Sequence, residues 1–271
     1  MKRDPHTYRI LFLGDIVGRP GREAVAQQLP LLMDEFDPTF VIVNGENSAA
    51  GVGITPDIAE DLFKDGVDAI TLGNHAFNKR EINPYLDSGK PIVRPGNMPS
   101  SVPGKGVCSV EREGVKLHVV NLCGRVFLDT YDDPFAWIDE AFKTMDTNHV
   151  FIDFHAEATS EKIAFGFHCE GRASAVVGTH THVTTADEQI LPGGTAYITD
   201  VGMCGPLPSV LGMEKEVILR RFRTSLPTRF EVADKPGVIC GVAIDVNKET
   251  GRASAIQRLR RGHGDRTAKQ Q

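Results

Sequence analysis

RILFLGD, Arg9 to Asp15, sets four apolar residues in a row and then stops at a glycine and a carboxylate. A short, continuously apolar run ended by glycine reads as a strand buried on both faces that opens into a loop. Downstream, PGREAVAQQLPLLMDEF (Pro20 to Phe36) puts Val25, Leu29, Leu32, Met33 and Phe36 on one helical face, with Pro30 as an expected kink. The unit then recurs. TFVIVNGEN (Thr39 to Asn47) is a second strand and loop, followed by TPDIAEDLFKDG, in which Thr55 should cap a helix, Pro56 open it and Gly66 stop it. VDAITLGNH (Val67 to His75) is the third strand and loop. Three β-loop-α units in succession imply an α/β fold built on a largely parallel, helix-covered sheet.

Beyond this point the pattern changes. GVCSVEREGVKLHVVNL (Gly106 to Leu122) reads as an antiparallel hairpin turning at Glu113-Gly114. Helix PFAWIDEAFKTM, strand VFIDFHAE, helix SEKIAFGF and strand ASAVVGTH follow, and then the β-rich run TAYITDVG. GVICGVAIDV and RASAIQRL, joined by NKETG, form a terminal hairpin, and the basic end, residues 258–271, is expected to fray. Without a repeat, a low-complexity block or a linker, the chain reads as a single domain of 271 residues.

Bulk chemistry narrows the function. A hydrophobic share of 41% supports a sizeable core. A net charge of −6 argues against a protein that grips long nucleic acid by its phosphates. A small anionic substrate stays open, because a bound metal reverses the local field. The five cysteines (Cys108, Cys123, Cys169, Cys204, Cys240) are scattered without a CxxC, which favours reduced, buried thiols over disulfides or structural zinc. The apolar run before Gly14 is too short for a signal-peptide core, and no stretch could span a bilayer, so a cytoplasmic protein is expected.

The notable polar residues share one position: each lies just past a predicted strand. Asp15 follows ILFLG, Glu46 and Asn47 follow FVIVNG, Asn74 and His75 follow AITLG, His155 ends VFIDF, and His180 and His182 follow AVVG. Loops beyond the carboxyl ends of parallel strands converge on one rim, where ligands bind. Each residue has a mundane explanation. Asp15 could cap a helix, Asn44-Gly45 could turn a hairpin, Asn74 could enter a helix, His155 could be an ordinary strand-end histidine, and the HxH of GTHTHV could be strand alternation. The mundane account needs all five coincidences together. His6, His118, His149, His168 and His263 lack a strand-end glycine with a second ligand type and read as structural or surface residues. Asp200, after TAYIT, is weighed as outer support for a ligand. Carboxylate, amide and imidazole donors without thiolate suit Mn, Fe or Mg. Their number suits two ions sharing a bridging carboxylate, for which Glu46 is the candidate, and such a centre attracts phosphate.

In this order (Asp after the first strand, an acidic loop, Gly-Asn-His, a lone His, then Gly-x-His-x-His) the chain resembles the calcineurin-like metallophosphoesterases. The likeness runs from LFLGDIVGRPGRE through GENSAAGVGIT and TLGNHAFNKREI to GTHTHV and TDVGMCGP. Two departures, Asp15-Ile16-Val17 in place of Asp-x-His and Glu46-Asn47 in place of a bridging aspartate, are similar to the YmdB-like branch. The resemblance implies a four-layer α/β/β/α sandwich and a phosphodiesterase acting on 2′,3′-cyclic nucleotides. It implies one metal on Asp15, Glu46, Asn47 and His182 and a second on Glu46, Asn74, His155 and His180, with Fe or Mn expected and Mg also compatible. It further implies in-line attack by a metal-bound hydroxide, with His75 protonating the departing 2′-oxygen to give a 3′-nucleotide. A homo-oligomer acting on a small phosphodiester, with no membrane or long nucleic-acid partner, completes the expectation. The alternatives are a metal- or nucleotide-binding regulatory protein with little turnover and an amidohydrolase barrel, whose HxH would instead follow the first strand.

Overall fold

The computed structural model describes residues 3–262. RILFLGD lies in β1 (Thr7–Leu13), buried at every position. A strand buried on both faces needs a layer on each side, and its alternation assigns them. Ile10 and Phe12 point into one apolar core, while Leu11 and Leu13 point into another.

β1 belongs to an eight-stranded sheet with β2 (Asp15–Ile16), β3 (Phe40–Asn44), β4 (Ala69–Thr71) and β5 (Ile92–Val93). The order is β2-β12-β13-β1-β3-β4-β5, completed by β12 (Met203–Pro206), β13 (Gly237–Asn247) and β14 (Ala253–Arg261), which pairs with β13. β1, β3, β4 and β5 run parallel, whereas β13 lies antiparallel to β1. The middle of the chain builds a second, six-stranded sheet. It comprises β6 (Val107–Arg112), β7 (Val115–Cys123), β8 (Val150–His155), β9 (Ala175–Thr179), β10 (Gln189–Ile190) and β11 (Ala196–Ile198), in the order β10-β11-β9-β8-β7-β6. β7, β8, β9 and β11 are parallel.

Three apolar cores separate four layers. Between the sheets lie Ile10, Phe12, Phe40, Phe151, Val177 and Val242. α1 (Gly18–Phe36), α2 (Pro56–Lys64) and α3 (Ile82–Leu86) cover the outer face of the first sheet. α4 (Pro134–Phe142) and α5 (Thr159–His168) cover the second. α6 (Lys215–Thr224) stands apart with one buried residue, Ile218. The α/β/β/α sandwich is therefore present, and with two open sheets the barrel alternative falls away.

Local readings mostly hold. Thr55 caps α2 by accepting from the Ile58 amide, Pro56 opens it, and Gly66 follows in a left-handed conformation. The Glu113-Gly114 turn joins Arg112 to Val115 as two paired residues. Val25, Leu29, Leu32 and Phe36 face the core, whereas Met33 is 36% exposed at the edge of the stripe, and Pro30 lies inside α1 without ending it. One expectation is corrected. Residues 258–261 do not fray, because β14 pairs Arg258 with Val242 and Arg261 with Ile239. The remainder of that basic end, from residue 263, lies outside the described residues. All five cysteines are free, four buried and Cys108 half-buried. Among the described residues no helix is long and apolar enough to cross a membrane.

Candidate metal centre

The parallel strands of both sheets end at a common rim, and all seven expected donors meet there. β8 ends on His155, whose Nε2 lies 3.0 Å from Glu46 Oε1, from Asn74 Oδ1 and from His180 Nδ1. Asn47 Nδ2 lies 3.1 Å from His182 Nε2 and donates to Glu46 Oε1 at 3.1 Å. His182 Nε2 stands 3.8 Å from Asp15 Oδ1, and Asp15 Oδ2 accepts from the His180 amide at 3.1 Å. The contacts thus form two groups, one around His155 Nε2 and one around His182 Nε2, with Glu46 common to both.

Four observations suit this cluster to cations. First, one ring nitrogen cannot satisfy three electron-rich neighbours at 3.0 Å with a single proton, whereas a cation among them would serve all. Ligand atoms of Glu46, His155 and His180 lie within 4.8 Å of one another, as a metal site requires. Second, Asp15 Oδ1 is fully buried without a hydrogen-bond partner, an arrangement that costs stability unless a positive group completes it. Third, a Cβ on Gly73 would sit 2.1 Å from Glu46 Oε2 and 2.6 Å from His155 Nε2. The glycine after β4 is what lets the chain pass this close to the carboxylate.

The fourth concerns the outer nitrogens. His182 Nδ1 lies 3.0 Å from the Leu211 carbonyl oxygen, which can only accept, so Nε2 keeps its lone pair for the cluster. The Thr179 hydroxyl donates to buried Asp153 at 2.6 Å and is left to accept from His155 Nδ1 at 2.9 Å. His180 Nε2 faces Glu157 Oε2 at 3.1 Å, leaving Nδ1 turned inward. Each of the three imidazoles thus turns one ring nitrogen to an acceptor outside the cluster and the other inward. The Asn47 amide presents its NH2 group, and a half-turn would bring Oδ1 to the same point.

Electrostatics agree. Burial pushes the Asp15 carboxyl above its ordinary range, against the pull of His182 and His155. Burial acts on Glu46 too, but the contact with His155 outweighs it and holds that carboxyl low. Burial disfavours charge on His155, yet Glu46 and Asp15 raise it to about 9. Burial and His155 together lower His180 to about 3. Two buried carboxylates thus draw positive charge into the pocket, while His180 keeps a free lone pair. Asp153 is raised to about 6 by burial, against the pull of His155 and the hydroxyls of Thr179 and Thr71.

The HxH loop is strained, with φ of 100° at His180 and 65° at His182, a conformation costing about 1–3 kcal/mol per residue that persists only when the surroundings enforce it. Lys162, buried in α5, enforces it. Its Nζ donates to the Thr179 carbonyl at 2.7 Å and pairs with Asp200 Oδ2 at 2.7 Å. Asp200 accepts in turn from the Thr181 amide at 3.1 Å and the Gly202 amide at 2.8 Å. Asp200 therefore braces the loop backbone instead of holding an imidazole. Lys162, Thr179, Asp153 and Glu157 escaped the sequence reading. Only Asp153 carried a signal, since it shares a face with His155 two residues on in β8.

His75 lies at the edge. Its backbone amide donates to Glu46 Oε2 at 3.1 Å, and its ring Nε2 stands 3.4 Å from Asn74 Nδ2. It lines a cavity of about 630 Å³ over the cluster, walled also by Val52, Leu211, Met213, Arg221, Phe222 and Phe230. Among the histidines set aside, His118 meets Ser109 and Asp146, His149 meets Tyr8, and His168 meets Asp139. His263 lies outside the described residues.

A four-layer sandwich with this donor set at the strand ends has the architecture of the metallophosphoesterase class. The chain matches the YmdB-like protein family over residues 11–259, and it belongs to that family. It is 53% identical over 253 residues to the 2′,3′-cyclic-nucleotide 2′-phosphodiesterase of Bacillus subtilis, covering 93% of this chain and 96% of that one. A solved structure of a hypothetical protein from Thermus thermophilus superposes with a TM-score of 0.89 at 42% identity, covering 94% of this chain and 99% of that one. A phosphatase structure from Mycoplasma pneumoniae gives 0.90 at 34%, covering 96% and 95%.

Proposed function

We propose that this protein is a metal-dependent phosphodiesterase that opens 2′,3′-cyclic nucleotides to 3′-nucleotides. The observation that carries the reading is the pair of donor groups sharing Glu46. Asp15, Glu46, Asn47 through its amide oxygen, and His182 would hold one ion, and Glu46, Asn74, His155 and His180 the other. Oxygen and imidazole donors without thiolate favour Fe or Mn, with Mg compatible. Two such ions, when bound, acidify water for attack on phosphorus and neutralise the phosphoryl oxygens.

The chain's own groups do the rest. The cavity would receive the nucleotide, with Val52, Leu211, Met213 and Phe222 among the side chains offering it apolar contact. His75, tied to Glu46 through its backbone amide, stands beside the ligand groups with its ring open to the cavity. As the P–O2′ bond breaks, the His75 ring would pass a proton to the 2′-oxygen, and over the cycle the attacking water replaces that proton. The identity of 53% to a relative named for this reaction supports the assignment of substrate.

The test replaces Glu46 by Gln and assays 2′,3′-cyclic AMP and a chromogenic phosphodiester. A loss of well over ~10²-fold is expected, because a shared ligand supports both ions. Undiminished turnover at full metal occupancy would overturn the reading.

A further inference from the structure

The stretch from α6 to Phe230 walls one side of the cavity, and its chemistry opposes that of the chain as a whole. Residues 215–230 contain Lys215, Arg220, Arg221, Arg223 and Arg229 against a single acid, Glu216, within a protein of net charge −6. Arg9, Arg112, Arg172 and Arg258 are each paired with a carboxylate. Among the described residues none of the four arginines of this stretch is. Beside them Phe222 is 78% exposed and Phe230 51% exposed. Of this stretch Arg221, Phe222 and Phe230 line the cavity itself, and Arg229 lines a neighbouring pocket together with Phe230, so the basic, aromatic surface begins at the cavity and extends beyond it.

We propose, resting on the phosphodiesterase reading above, that this surface binds single-stranded RNA, and that the substrates include short oligoribonucleotides ending in a 2′,3′-cyclic phosphate. A 2′,3′-cyclic phosphate within a chain can only be its 3′ terminus. With that terminus over the cluster, the chain must leave through the 5′-oxygen along a wall of the cavity. Arg221 at the cavity wall and the arginines beyond it would meet successive backbone phosphates, and exposed rings offer bases a stacking face, which is how single strands are held without sequence readout. A patch of this extent reaches only a few phosphates, which reconciles it with an acidic protein unsuited to long nucleic acid. Continuity with the cavity favours this occupant over an anionic membrane or a second copy of the chain.

The experiment uses the metal-loaded full chain and compares kcat/KM for 2′,3′-cyclic AMP with that for a tetraribonucleotide whose 3′-terminal adenosine carries the cyclic phosphate. A second measurement follows binding of the 3′-phosphorylated tetranucleotide by fluorescence anisotropy. The oligonucleotide should be preferred by about tenfold or more at low salt, with the advantage shrinking as salt rises. The variant Arg220→Ser/Arg223→Ser/Arg229→Ser should lose that preference while its rate on the mononucleotide stays within about twofold. Equal kcat/KM for the two substrates, or an equal loss on both in the variant, would overturn the proposal. So would a variant that splits an assembly in sedimentation, or loses only its binding to anionic vesicles, while the oligonucleotide preference survives. A wild-type enzyme inert on both substrates that still binds the oligonucleotide through these arginines would uphold the platform and overturn the phosphodiesterase reading.

Discussion

Gly73→Ala adds one methyl group where the chain leaves β4 and passes the shared carboxylate. The new carbon would stand 2.1 Å from Glu46 Oε2, 2.5 Å from His155 Cδ2 and 2.6 Å from His155 Nε2, where 3.4 Å is the near limit of ordinary contact. Glu46 Oε2 must therefore retreat by more than ~1 Å, and the backbone of His75, whose amide it accepts, is drawn with it. Overpacking of this kind costs about 1–3 kcal/mol, and at about 2–4 °C per kcal/mol for a chain of this size the protein stays folded. Catalysis is less forgiving, since a misplacement of about 1 Å costs about 10²-fold in rate. Elemental analysis of the purified variant should find metal well below the wild-type content, and kcat/KM on 2′,3′-cyclic AMP should fall by about 10²-fold or more. A G73A variant that melts within a few degrees of wild type yet keeps its full metal content and turnover would refute the geometry.

Three further outcomes follow from the same contacts. His75→Ala should keep its metal, since the ring is outside both donor groups, but lose about 10²–10⁴-fold in kcat on the cyclic nucleotide; a rate within twofold would remove His75 from the chemistry. Thr179→Val deletes the hydroxyl between Asp153 and His155 Nδ1 and should weaken metal affinity by about 10–100-fold in calorimetric titration. Lys162→Met leaves Asp200 charged and buried without its partner, which should cost about 3–5 kcal/mol and lower the melting temperature by about 10 °C. The double change Lys162→Met/Asp200→Asn should recover part of that loss, and no recovery would contradict the pairing.

The donors were legible because they obey a local rule. Each lies at or just past the end of an apolar run, all but His155 after a glycine that ends the run, as with Leu13-Gly14-Asp15 and Leu72-Gly73-Asn74, and a glycine is needed where the backbone passes close to a ligand group. The first sheet was legible for the same reason, its strands being continuous apolar runs separated by amphipathic helices. That the middle of the chain forms a separate sheet could not be read from periodicity, because β7, β8 and β9 have the same apolar pattern as β1 and β3. Only the family resemblance supplied the second pair of layers. Lys162 was invisible because a lysine on an amphipathic helix reads as solvated, and nothing local announces that its ammonium reaches a carbonyl and a carboxylate across the core. The end of β14 was misread as a frayed tail because its arginines look solvent-bound, although β13 supplies a full partner strand.

The central claim is that two cations share Glu46. Crystals grown with Mn²⁺ and recorded for anomalous scattering test it directly. Two peaks about 3.5–4 Å apart are predicted, one beside Asp15, Asn47 and His182, the other beside Asn74, His155 and His180, with Glu46 touching both. A single peak, or a pair with Glu46 turned away, would contradict the account.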